Sequence, residues 1–291
     1  MTVRMRWKQA GLILLGLLAV VIARFGWSYL AFEMGNRSLL LTFVPATVIM
    51  LAVYVAATRW IEWRAATELS PRRALPVLAA GIVGGIAMFA LVMAILWLAG
   101  AYHPGGWGSG LEGVGLAFVF WLAIGTGEEL LFRGMLFRLC SKIFGTWGAM
   151  LVSAALFGFM HASNPAATTI GVASVALAGV FLAAAYVATG RLWLPIGLHT
   201  GWNFAEGSLF GTAVSGNTVG SPLIRGQMSG ANILTGGAFG PEASIVAVLV
   251  VLAGTIFLVW QIVRSRRGEP PIWSKQHPLP TAAPVAEPSV S

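Results

Sequence analysis

The sequence predicts an all-α, polytopic membrane protein with about eight transmembrane helices, and three observations carry that fold class. Hydrophobic residues make up 57% of the 291 and charged residues only 10%, with a mean hydropathy of +0.82. A soluble core of that size could not be clothed by so little charge. Eight apolar stretches approach the roughly 20 residues that a membrane crossing requires: 10–32, 39–58, 76–99, 113–138, 146–166, 168–189, 192–209 and 244–263. The third observation is charge asymmetry. With the N-terminus inside, fifteen of the eighteen Lys and Arg residues fall at cytoplasmic ends, Arg37 and Arg225 fall opposite, and Arg24 lies within a span. Such a bias sets orientation and places both termini in the cytoplasm. The formal net charge of +8 therefore reports topology and contact with anionic membrane lipid, and no nucleic-acid partner is expected.

The elements follow in order. The basic start "MTVRMRWKQ" precedes an apolar run too long for a signal peptide, so it reads as a retained first helix. Arg24, beside Trp27 and Tyr29, reads as a side chain snorkelling to the far interface. Residues 1–112 thus hold helices one to three with their loops, and 113–206 hold helices four to seven. Helices four and five are expected to form a hairpin turning near Gly145. The segment 207–243 is expected as a non-cytoplasmic loop, rich in Gly, Ser, Asn and Thr from residue 210 and partly re-entrant. The last helix lies within 244–267, and 268–291 reads as a disordered, Pro- and Ala-rich cytoplasmic tail, with His277 solvated. The single cysteine, Cys140, excludes an intrachain disulfide and reads as a plain interfacial residue.

Against this apolar background, "GTGEELLFRG" stands out, because a charge at bilayer depth costs about 2.5–3.5 kcal/mol on insertion scales. Glu129 and Arg133 are four apart with the acid N-terminal, the favourable order for an ion pair, which leaves Glu128 without a local partner. Glu129 and His161 each lie sixteen residues from Gly145, so an antiparallel hairpin brings both to one depth. In the seventh span, His199 and Asn203 share a helical face, and Gly197 and Gly201 bracket His199 in a GxxxG pattern that permits close backbone approach. Taken singly, each polar residue reads as helix packing, and Phe157 as the packing that holds the His161 ring. Together they concentrate buried polarity in adjacent spans at a cost that packing alone does not explain.

In order along the chain, "EELLFR" matches EExxxR, "FGFMH" matches FxxxH and "HTGWN" matches HxxxN. On these motifs, residues 113–206 resemble the CPBP family of intramembrane proteases, which includes the type II CAAX prenyl endopeptidases and bacterial relatives linked to bacteriocin immunity. The resemblance implies an intramembrane endopeptidase of a bacterial plasma membrane, acting on a peptide or a membrane-anchored, lipidated protein. It assigns Glu128 as the base that activates water, and makes His161, His199 and Asn203 its partners in catalysis. Glu129, Arg133 and Phe157 support them from behind. This leading mechanism uses no metal and no other cofactor. A zinc mechanism with Glu128, His161 and His199 as ligands competes, although no HExxH motif is present. Two other classes stay open, a non-catalytic membrane immunity or adaptor protein and a proton-coupled transporter, the latter disfavoured by the lack of internal repeats.

Overall fold

In an apolar medium backbone amides find no partner but one another, so long apolar runs fold as helices. The computed structural model describes residues 11–22, 39–108, 111–218, 222–265 and 267, with Lys8, Gly26 and Tyr29 besides. The expected roles of Arg24 and Trp27, and of the tail with His277, lie outside the described residues. The main helices are α1 (Gly11–Ile22), α2 (Leu39–Ala56), α3 (Ala74–Leu98), α4 (Leu111–Glu129), α5 (Arg138–Met160), α6 (Thr169–Thr189) and α7 (Trp193–Asn203). A four-residue α8 (Asn232–Thr235) and the long α9 (Ile245–Arg264) complete them.

Among the described residues, five helical stretches are long and apolar enough to cross a membrane, so the expected count of eight is not reached by length and composition. One stretch, Gly113–Ser163, contains the fourth expected span and the fifth up to residue 163. Gly145 interrupts it with φ 72° and ψ 179°, a conformation that glycine adopts without a Cβ clash. The Phe132 and Phe157 rings meet edge-on at 5.0 Å, thirteen residues before and twelve after Gly145, as an antiparallel hairpin requires. The other shortfalls are α1, whose described part is short, and α7, which holds 11 residues before a π-helical turn, Phe204–Leu209.

Helix ends carry the expected chemistry where they leave the apolar zone. Thr168 Oγ1 accepts from the Gly171 N–H at 3.0 Å at the start of α6, and Gly190 ends that helix at φ 66°. Ser244 Oγ accepts from the Ala247 N–H at 3.1 Å at the start of α9.

The all-α expectation needs one correction. Strands β1 (Tyr102–Trp107) and β2 (Ile224–Met228) pair antiparallel, with Tyr102 opposite Met228 and His103 opposite Gln227. β1, Tyr-His-Pro-Gly-Gly-Trp, does not alternate polar and apolar residues, and the alternation of Ile-Arg-Gly-Gln-Met in β2 spans only five residues about a glycine; the ribbon forms because the loops after α3 and before α9 meet. The long loop also docks against the helices. Phe239 is fully buried in a cluster with Phe132, Phe157 and Val175, which anchors the loop among the helices.

Candidate active site

The site is assembled where α4, the end of α5, and α7 meet. Backbone contact fixes α7 first. A Cβ added at Gly85 would stand 2.3 Å from the Leu198 carbonyl oxygen, and one at Gly201 would stand 2.2 Å from that of Ile82. Gly81 and Gly197 make the same kind of contact, so α3 and α7 touch through two GxxxG faces, of which only that on α7 was anticipated. On the other side, a Cβ at Gly125 would meet Thr200 Oγ1 at 2.8 Å, bringing α4 against α7. His199 is thereby held beside the two glutamates.

Glu129 and Arg133 are both fully buried. Glu129 Oε1 accepts from Arg133 Nη1 at 2.7 Å and from His199 Nδ1–H at 2.9 Å. The second Arg133 nitrogen, Nη2, donates to the Gly179 carbonyl at 2.9 Å, and its guanidinium lies 4.7 Å from the centre of the Phe157 ring. Thus Arg133, in the π-helical segment Leu130–Phe137 that follows α4, reaches α6, while Glu129 orients His199, a contact absent from the sequence expectation.

Glu128 is in a different setting. Its side chain is 25% exposed, and Oε2 lies 3.8 Å from His199 Nε2, too far for a direct hydrogen bond. No other group bonds that oxygen. His161 begins the short 3₁₀ turn that closes α5, and its Nδ1–H donates to the Phe157 carbonyl at 2.8 Å. Both histidines therefore engage Nδ1 with the protein and leave Nε2 for other partners. The Phe157 ring lies 4.9 Å from His161 and 6.0 Å from His199, edge-on to the latter.

Glu128, His161, His199 and Asn203 line one cavity of about 540 Å³. Its walls are apolar toward Phe43, Phe120, Phe181 and Val251, and polar toward Asn164, Ser215 and Glu242. The helix turns π-helical directly after each site segment, at Leu130–Phe137 after Glu129 and at Phe204–Leu209 after Asn203. Such widened turns recur at functional sites, where they re-aim the side chains around them.

Two carboxylates near this cavity escaped the sequence reading. Glu206 is fully buried and accepts from Trp202 Nε1–H at 3.0 Å and from the Glu242 backbone N–H at 3.2 Å. Glu242 Oε1 accepts from both the backbone N–H and the hydroxyl of Ser215, each at 2.7 Å. Burial pushes the Glu242 carboxyl above its ordinary range, while the Ser215 hydrogen bonds pull it back. Glu206 follows Asn203 by three residues, so helical spacing was a signal for it; Glu242 arrives through a loop and had none.

A zinc site would need three ligands converging within about 2.0–2.3 Å of one point. The two Nδ1 contacts resemble those that orient metal-binding histidines. Among the described residues, however, no group of three His, Cys, Asp or Glu side chains stands close enough to hold a metal ion.

Residues 110–205 match the family model described as type II CAAX prenyl endopeptidase Rce1-like, in agreement with the resemblance carried by the three motifs. The match covers α4 to α7, the segment that holds both glutamates, both histidines and Asn203. No curated protein and no solved structure matches the chain.

Proposed function

We propose that the protein is an intramembrane endopeptidase that hydrolyses a peptide bond of a membrane-associated or lipidated substrate, with Glu128 as the base. The observation that carries this reading is the division of labour between adjacent acids. Glu129 is bonded to Arg133 and His199, whereas the Glu128 side chain lines the cavity and is 25% exposed, with Oε2 turned inward, without a hydrogen-bond partner among the described residues, 3.8 Å from His199 Nε2. A base must reach the proton it removes, and only Glu128 of the two faces the cavity.

In this mechanism a substrate carbonyl enters between the apolar wall and Asn203. Glu128 takes a proton from water as the water attacks the carbonyl carbon, and His161, through Nε2, holds that water. His199, carrying protons on both ring nitrogens with Nδ1–H on Glu129, donates through Nε2–H, and the Asn203 amide donates beside it, to the oxyanion as it forms. Glu128 then returns the proton to the leaving amine as the C–N bond breaks. Glu129 fixes the His199 ring, and Arg133 holds Glu129 in place without reaching the cavity. No step of this proposal runs through a metal.

The reading also includes an eight-span topology with both termini cytoplasmic, supported by the fifteen-to-two charge split. Quantitative membrane proteomics of cells carrying wild type or Glu128→Gln tests the activity: substrates should accumulate intact in the variant, and identical proteomes would sink the proposal. Purified protein should keep full cleavage after prolonged chelation. Stoichiometric zinc with chelation-sensitive, zinc-restored cleavage would instead support the metal mechanism on the same residues.

A further inference from the structure

The cavity has a fourth wall that lies outside the matched segment 110–205, and its chemistry is acidic. Glu242 comes from the loop before α9 and is held at three points. Its backbone N–H is bonded to Glu206, its Oε1 takes both donors of Ser215, and Ser215 is itself tied back by Asn164 Nδ2 to its carbonyl at 3.1 Å. Neighbouring backbone closes the arrangement: the Gly216 N–H donates to the Phe239 carbonyl at 2.6 Å, and Phe239 is buried in the core. A carboxylate fixed in this way pays little ordering cost when it binds.

Its second oxygen, Oε2, has no hydrogen-bond partner among the described residues and is not among the side-chain atoms sealed from solvent, and Glu242 lines the cavity. Two carboxylates, Glu128 and Glu242, line this space with two imidazoles, His161 and His199, both of which the proposed mechanism employs, and no Lys or Arg does among the described lining residues. Arg133, the nearest arginine in sequence to Glu128, is fully buried behind it and spent on Glu129 and Gly179. The remainder of the wall is largely apolar, from Met88 through Phe181 to Val251. A ligand complementary to such a space has an apolar body and one cationic group.

We propose that Glu242 is a specificity-determining residue that pairs with a lysine or arginine side chain of the substrate, so that the cavity selects an apolar segment carrying a basic residue. The inference rests on the reading of this cavity as the substrate site. It adds to that reading a substrate class: membrane segments flanked by Lys or Arg next to the bond that is cut. Uncharged or acidic segments are disfavoured because they leave a buried carboxylate unpaired or opposed.

The test uses full-length protein in lipid nanodiscs and three capped heptapeptides of Leu and Val, with lysine, norleucine or glutamate at the centre. Wild type should bind the lysine peptide about tenfold tighter than the norleucine peptide, the difference expected of one charge-assisted hydrogen bond, and bind the glutamate peptide more weakly still. Glu242→Gln should bind the lysine and norleucine peptides equally, and Glu242→Asp should restore part of the preference. Equal affinity of wild type for the lysine and norleucine peptides overturns the proposal without reference to any variant. An undiminished preference in Glu242→Gln overturns it as well. Mass spectrometry of the same incubations separates the two ideas. Cleavage without lysine preference defeats this inference alone, whereas lysine preference without cleavage upholds it and counts against the protease reading.

Discussion

Arg133 and Glu129 meet at 2.7 Å with neither side chain exposed, and each has a further partner, Gly179 for the arginine and His199 for the glutamate. Breaking a buried pair from one side strands the other charge, a loss of about 3–5 kcal/mol in the general case. Arg133→Leu is therefore expected to lower thermal stability in detergent and membrane abundance far more than Glu128→Gln, which keeps shape and touches no ion pair within the helix. Equal melting temperatures for the two variants would show that the Glu129–Arg133 pair does not hold the bundle. Asn203 lines the cavity one helical turn beyond His199. As one oxyanion donor among two, its replacement by Ala should lower cleavage by about 10²–10³-fold with unchanged folding. Glu128→Gln should lower it by several further orders, and both rates are read by peptide cleavage in the same nanodiscs.

At the scale of elements, the site depends on how closely α3, α7 and α4 approach. The glycine contacts leave no room for even a methyl group at Gly85 or Gly201, where the facing carbonyl oxygen would stand 2.3 and 2.2 Å away. Gly201→Ala must push α3 from α7, at about 1–3 kcal/mol for overpacking. Because His199 sits two residues earlier on the same helix, the displacement should also lower the rate of cleavage, whereas Gly11→Ala, with nothing within 4 Å of the added group, should change neither. A melting curve and a cleavage assay on both variants check this. Intact stability in Gly201→Ala would mean that the helices are not in backbone contact.

Across the whole molecule, the basic end of the bundle is tied together by Glu62, Arg64 and Glu68 of the connection between α2 and α3 and by Arg138 of α5. Arg64 bonds Glu62 at 2.9 Å and Glu68 at 2.7 Å, and Arg138 reaches Glu62 from α5. Burial alone would raise the Glu68 carboxyl, but hydrogen bonding from Arg64, then the charges of Arg138 and Arg64, hold it below the usual carboxylate range. A depressed carboxylate contributes stability above its unfolded pKa, about 4.3, and that contribution is lost as pH falls through the lower folded value. Thermal stability should thus decline on acidification below about pH 4, and Glu68→Gln should start lower at neutral pH and decline less. A parallel decline in both proteins would remove Glu68 from the acid limb. Topology is tested at the same scale. In a Cys140→Ser background, a cysteine placed in the C-terminal tail should be labelled only from the cytoplasmic side, and labelling only from outside would overturn the orientation.

What the sequence by itself determined are the properties that nearest neighbours along the chain decide. Hydropathy marked the apolar helices, the Arg and Lys distribution oriented them in expectation, and the spacing around Gly145 anticipated the hairpin in which Phe132 meets Phe157. Three short motifs sufficed to indicate the family match over residues 110–205. Only the tertiary structure decided what crosses between distant segments. It joined the β1–β2 ribbon, turned Glu129 toward His199, set the α3 glycines against α7, and brought Glu242 to Glu206 from 36 residues away. Helical and strand periodicities are local, whereas these contacts arise when buried polar groups and close-packed backbones find partners across the fold, and a loop such as 210–243 carries no period that announces where it will dock.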